Sequence, residues 1–221
     1  MPIPSRRFRV VATAVLAIAV LAACGGGGAS SAAKETTTTV DAAAAKAALT
    51  ARLLTPADLA TGDALDAGWE AGDVSKGVDI KLPACVQEAE APQASTGAET
   101  RLVTKSSLHL PSLQEDLSTF GSGGAATDLA SAAKRLDGCT PTFVFQGTPA
   151  SGTIQRLPFT VAGADASAWR TTVTIAGAGV AITNVHLVKG NTELSLIHVD
   201  LGSPDVTALQ GLATKALAKL G

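Results

Sequence analysis

The stretch VHLVKGNTELSLIH, residues 185–198, decides the fold. Gly190-Asn191 is a favoured two-residue hairpin turn, because both residues tolerate the left-handed backbone that such turns require. Fixing that turn fixes the register. Leu187 then faces Leu194 and Val185 faces Leu196 on one side of the ribbon. On the other side His186 faces Ser195, Val188 faces Glu193 and Asn184 faces Ile197. The first side is apolar, so it must be buried by something. The second is mixed and reads as the solvated half of a two-faced strand pair.

Working outward, further strand signals surround the hairpin. They are TFVFQ (142–146), GTIQRLPFTV (152–161), AWRTTVTIAG (168–177), VAITNVHLV (180–188) and TELSLIHVDL (192–201). Earlier in the chain, ETRLVTKSSLHL (99–110) and LQEDLSTF (113–120) are two more strands joined near Pro111. Helices sit at the ends and between. Asp41 caps an alanine-rich helix to about Leu53, with Leu49 and Leu53 stacked one turn apart. TPADLA (55–60) is a short second helix: Thr55 is the N-cap, Pro56 the first helical residue, and Asp58 the acid of a capping box. Residues 62–81 are irregular, with Trp69 as their core anchor, and Pro83 starts a helical turn that carries Cys85. Residues 124–138 form an amphipathic helix with Ala125, Leu129, Ala132, Ala133 and Leu136 on one face and Gly138 as its stop. The last helix has Ser203 as cap, Pro204 first, and an apolar face of Val206, Leu209, Leu212, Ala213, Ala216, Leu217 and Leu220. Consecutive strands with grouped helices imply an α+β domain, an antiparallel β-sheet flanked by helices.

The N-terminus is of another kind. Arg6, Arg7 and Arg9 precede Val10 to Ala23, where Thr13 is the lone polar residue. Fourteen helical residues span ~21 Å, short of the ~30 Å hydrocarbon core, which is the layout of a signal peptide. Its end, Leu21-Ala22-Ala23-Cys24, resembles a bacterial lipobox. That resemblance implies cleavage before Cys24 and acylation of its thiol, as in palmitate-bearing lipoproteins on the extracytoplasmic face of the cell membrane. Gly25–Gly28, Ser30, Ser31 and Thr36–Thr39 follow without apolar periodicity, as suits a flexible tether. The expected organisation is signal peptide 1–23, anchor and tether 24–44, and one folded domain 45–221.

Composition limits the function. The net charge of −2 falls to −5 without the three signal arginines, and the chain has no tyrosine and two tryptophans. An acidic surface poor in aromatics argues against nucleic-acid partners. With Cys24 lipidated, Cys85 and Cys139 remain as an even pair in an oxidising compartment and are expected to be bonded, the alternative being two separate buried thiols. No metal-ligand spacing occurs among the cysteines and the three histidines, so neither metal nor cofactor is expected.

LLTPADLA (53–60), LPACVQ (82–87) after a glycine-rich loop, the alanine-rich helix running into RLDGC (135–139), the strand series and the C-terminal helix together resemble the extracellular PknH-like sensor domain of actinobacterial membrane kinases and lipoproteins. The resemblance covers residues 48–221. It implies an antiparallel sheet flanked by helices with a groove for a ligand, and it places Cys85 and Cys139 at the family's first disulfide. A second disulfide of that family is missing here. The function implied is a non-catalytic ligand-binding or sensor-type module, its partner a small-molecule or lipidic envelope ligand or another protein. The alternative is an envelope protein–protein interaction or structural lipoprotein of Mog1/PsbP-like fold.

Three sets of residues invite a catalytic or cofactor reading. Gly121, Gly123 and Ala126 fit G-x-G-x-x-A, yet no acid lies about twenty residues on, since Asp165 is the next after Asp137. They are expected to form a turn. His186, Ser195 and Glu193 gather on the mixed side of the hairpin like a hydrolytic triad. A sheet face offers no oxyanion hole and Ser195 has no strained elbow, so no catalytic residue is assigned and hydrolysis by Ser195 and His186 stays the lesser alternative. His109 and His198 are single strand histidines, expected to be packed or half-exposed rather than to ligate.

Overall fold

The alternation in the last five strand signals builds a meander, because each strand pairs with the next, through two-residue connections except for residues 158–164. In the computed structural model, residues 42–59, 68–73, 80–81, 94–104, 110–136, 139, 143–145, 148–175, 177–202 and 205–221 are described. Among them, nine strands run in chain order: β1 (Trp69–Ala71), β2 (Ile80–Lys81), β3 (Thr96–Thr104), β4 (Ser112–Thr119), β5 (Phe143–Phe145), β6 (Thr148–Leu157), β7 (Asp165–Ile175), β8 (Ala178–Lys189) and β9 (Thr192–Asp200). They form one antiparallel sheet in the order β1-β3-β4-β9-β8-β7-β6-β5-β2. The β8–β9 register is the one the turn dictates: Val185 with Leu196, His186 with Ser195, Leu187 with Leu194. Gly190 takes φ +61° in that turn. β4 then zips onto β9, with Leu117 opposite Leu194 and Leu113 opposite His198.

Among the described residues three α-helices flank the sheet: α1 (Ala42–Thr50), α2 (Gly124–Leu136) and α3 (Val206–Ala218). One face carries the main core. Leu49 of α1 and Leu209, Leu212, Ala213, Ala216 and Leu217 of α3 pack there on Leu102, Leu113, Leu117, Val185, Leu187, Leu194 and Leu196. Trp69 joins that core, as expected of the anchor of its irregular segment. The other face lies under α2. A smaller cluster of Phe120, Ala125 and Val188, with Leu129 against it, fastens the helix there.

Local signals held at most ends. Pro56–Leu59 is a single turn of 3-10 helix. Its capping box is formed, with Thr55 N and Thr55 Oγ1 both donating to Asp58 Oδ2 at 2.7 Å. Helix α1 is shorter than expected and ends at Thr50. Helix α3 starts later than Ser203 and Pro204, which lie outside the described residues, and its N-cap is Asp205, whose Oδ1 accepts from Thr207 N at 3.0 Å. The carboxylate there meets an orphan amide and the positive end of the helix. The signal peptide, Cys24, the tether up to residue 40, Asp41, Cys85, His109 and Gly138 also lie outside the described residues, while residues 42–44, expected as the end of the tether, already belong to α1.

Candidate functional site

The expectation of a solvated hairpin face is corrected. Val188 and Glu193 are buried, and so are Ser167, Trp169 and Thr171 on the same face of β7. The reason is non-local: α2, some sixty residues earlier in the chain, lies over β7 and β8 on that side. β-sheet register brings polar residues into a row there. Ser167 of β7, His186 of β8, Ser195 of β9, Asp116 of β4 and Glu99 of β3 stand side by side. Towards β3 the row opens to solvent, Asp116 and Ser195 being half-buried and Glu99 exposed.

His186 is the centre of this row. Its Nδ1 lies 2.5 Å from Glu193 Oε1, a diagonal cross-strand contact. A carboxylate oxygen accepts, so Nδ1 carries the hydrogen and Nε2 is turned towards Ser195 Oγ at 3.5 Å. The Trp169 ring stacks on the imidazole, with centroids 4.8 Å apart and an interplanar angle of 16°. The sequence thus named three of the four members. From sequence Trp169 reads as a strand residue alone; in the structure Ser167, Trp169 and Thr171 alternate onto the face of His186.

The order serine, imidazole, carboxylate is that of a nucleophile, a base and its orienting group. The rest of a hydrolytic site does not follow from it. β9 is an interior strand between β4 and β8, so its amides serve the two ladders and cannot converge on an oxyanion beside Ser195. What the face does hold is unpartnered polar atoms. Ser167 Oγ, Trp169 Nε1, Thr171 Oγ1 and Glu193 Oε2 are all buried and all lack a hydrogen-bond partner. Such groups cost about 1–3 kcal/mol each when nothing meets them.

The main-core face has its own polar pair. Glu115 is fully buried and its Oε2 accepts from Leu54 N at 2.5 Å, tying the segment after α1 to the sheet. Burial pushes its carboxyl up to about 7, against the pull of the Leu54 amide. His198 is packed, as expected of a lone strand histidine, and burial drives it down to about 4. Both are enclosed in the core and neither lines an opening.

The remaining candidates resolve simply. Gly121, Gly123 and Ala126 belong to a turn and the start of α2: Gly124 N donates to Gly121 O at 3.0 Å, and Gly123 has φ +74°. β4, which precedes them, pairs antiparallel on both sides, so the parallel unit a dinucleotide needs is absent there. A shallow hollow of about 400 Å³, lined by Ala126, Thr127, Ala130, Ser131 and Lys134, lies along α2 away from the polar row. Among the described residues no group of histidine, cysteine and acid side chains is placed to hold a metal, and no helix is long and apolar enough to cross a membrane. Cys139 follows α2 and its amide donates to Leu136 O at 3.2 Å. Cys85, its expected partner, lies outside the described residues.

Compared with solved structures, the chain superposes on the extracellular domain of PknH from Mycobacterium tuberculosis with a TM-score of 0.59 at 10% identity, covering 79% of this chain and 95% of that one. It shares that domain's fold. A protein of unknown function from Pseudomonas aeruginosa, PA94, described as a putative regulator, aligns at a TM-score of 0.32 and 14% identity over 63% of this chain and 94% of that one. At that score it adds nothing to the fold. No family model matches the sequence, and no curated protein matches it. The PknH extracellular domain therefore supports the architecture, while the site rests on the residues of this chain alone.

Proposed function

We propose that this protein is a lipid-anchored, extracytoplasmic binding module of a bacterial cell envelope, of sensor type and non-catalytic. One observation carries the binding role: four unpartnered polar groups, Ser167, Trp169 and Thr171 of β7 and Glu193 of β9, lie on one sheet face, at the enclosed end of a polar row that opens to solvent towards β3. A native domain pairs nearly all its buried polar groups. Three further exceptions, Glu115 Oε1 and both ring nitrogens of His198, are enclosed in the main core, whereas these four share a face with the half-open polar row, where another molecule can complete the set. The fold shared with an extracellular domain suits this role, and the lipobox-like Leu21-Ala22-Ala23-Cys24 supplies the anchor. The signal would pass to a partner or by delivery of the ligand. The experiment is native mass spectrometry of the protein purified from its own envelope. A co-purifying small molecule or lipid is the expected result; repeated absence of any bound species rejects the role.

The order Ser195–His186–Glu193 favours a second reading, ester hydrolysis. It requires turnover of p-nitrophenyl acetate that disappears in Ser195→Ala and in His186→Ala. Turnover unchanged by either substitution removes it.

A further inference from the structure

We infer that the polar face beneath α2 takes a neutral, hydroxyl-bearing small molecule, a polyol or a sugar unit, in preference to a phosphate or a carboxylate. This rests on the binding role proposed above and names its chemistry. The unpartnered atoms specify complementary partners. Trp169 Nε1 can donate and cannot accept. Glu193 Oε2, in a carboxylate whose other oxygen holds His186, can accept and cannot donate. Ser167 Oγ and Thr171 Oγ1 do either. A ligand must therefore bring an acceptor to Trp169 and a donor to Glu193, and a hydroxyl offers both. A simple ammonium has no acceptor for Trp169. An anion would meet Glu193 at close range, with Asp116, Glu99 and Asp165 on the same face. Among the described residues the positive groups of that sheet face are Arg101 and Arg156 in neighbouring rows, and Arg101 is engaged by Asp73 O at 3.2 Å.

Entry is set by α2. Its buried side chains are the small ones, Ala125 and Ala132, with Leu129 only partly covered. It follows the turn Gly121–Gly124, where Gly123 holds a left-handed backbone. A helix fastened by so little apolar surface, behind a glycine-rich turn, is the element of this face that opens at least cost.

The test uses the full chain in detergent with Trp69→Phe, which leaves Trp169 as the sole tryptophan. Maltose and myo-inositol are titrated against glucose 6-phosphate and inorganic phosphate, and calorimetry on the unsubstituted protein repeats each titration. The expected result is a saturable change in Trp169 emission with a neutral probe and none with either phosphate. Ser167→Ala and Thr171→Val should each weaken that binding at least tenfold while the melting temperature holds or rises, because each removes an unpartnered hydroxyl. A misfolded variant would melt lower, so the two readouts separate lost binding from lost structure. Failure of both neutral probes, or phosphate binding as tight as theirs, overturns the inference. If the neutral probes fail while another molecule co-purifies with the native protein, the chemistry falls and the binding role stands. If nothing co-purifies either, both fall.

Discussion

Glu115 and His198 stand one cross-strand pair apart on β4 and β9, inside the main core, and they titrate in opposite senses. Glu115 holds its proton more tightly when folded, at about 7 against an ordinary 4.5. Its contribution to stability is therefore full below pH 4.5 and is lost as pH rises through 7. His198 is depressed from 6.5 to about 4, so its contribution is present above 6.5 and is lost as pH falls through 4. Each shift corresponds to about 3 kcal/mol at ~1.4 kcal/mol per pH unit. Between pH 4.5 and 6.5 the two slopes nearly cancel, and this pair should leave the stability of the protein flat there. Glu115→Gln, whose amide oxygen still accepts from Leu54, uncovers the histidine, and stability should climb from pH 4 to 6.5. His198→Gln uncovers the carboxyl, and stability should fall from pH 4.5 to 7. Urea denaturation at half-unit pH steps reads both; parallel profiles for the two variants would contradict the assignment. Asp58 and Asp116 push the Glu115 carboxyl up and Lys219 draws it down, while Asp200 and Arg170 act oppositely on His198. Beyond Glu115 and His198, Asp58 sits lower than an ordinary carboxylate. Burial pushes it up, but hydrogen bonds from Lys219, at 2.6 Å, and from Thr55 outweigh that. Its help is present above the ordinary carboxylate range and fades as the solution is acidified below it.

At the scale of elements, α3 is the main apolar load on the sheet. Leu212 is almost fully buried among Leu209, Ala213 and Ala216. Leu212→Ala should cost about 2–5 kcal/mol, and Asp205→Ala, which removes the cap from Thr207 N, about 1 kcal/mol. Denaturant midpoints check both, and a larger loss for the cap than for the leucine would invert the argument. These positions also show what the sequence made legible. The apolar face of α3 and the β8–β9 register follow from local rules: a 3.6-residue period, and a Gly-Asn turn between alternating runs. The burial of Glu193 and Val188 does not. An apolar–polar alternation looks the same whether the second face meets water or a distant helix, and α2 reaches that face from far away along the chain. The stacking of Trp169 on His186 is hidden likewise, since it needs the β7–β8 register, and the two residues between Ile175 and Ala178 carry no Gly-Asn signal to fix it. The α3 start was misplaced because Ser203-Pro204 and Asp205 both satisfy capping rules, and the carboxylate won.

For the whole molecule, two covalent features are expected. Cys24 should carry lipid, so intact mass of the native protein should exceed that of the bare chain from Cys24, and Cys24→Ser should abolish the increment and release the protein from membranes. An unmodified Cys24 would sink the anchor. Cys85 and Cys139 should be joined, closing a loop whose restraint contributes roughly 4 kcal/mol in the chain-entropy model. Non-reducing peptide mapping should recover the linked peptides, and two alkylatable thiols would refute the link.

The strands at the two ends of the sheet order are β1, of three residues, and β2, of two. Open strand margins are templates: their unpaired amides and carbonyls invite another chain to add itself, in aggregation or in peptide recognition. β1 and β2 themselves offer an incoming strand only two or three residues of ladder, too little to hold it. A partner that used either of them would need further contacts, on the broad side of the sheet or on its helices.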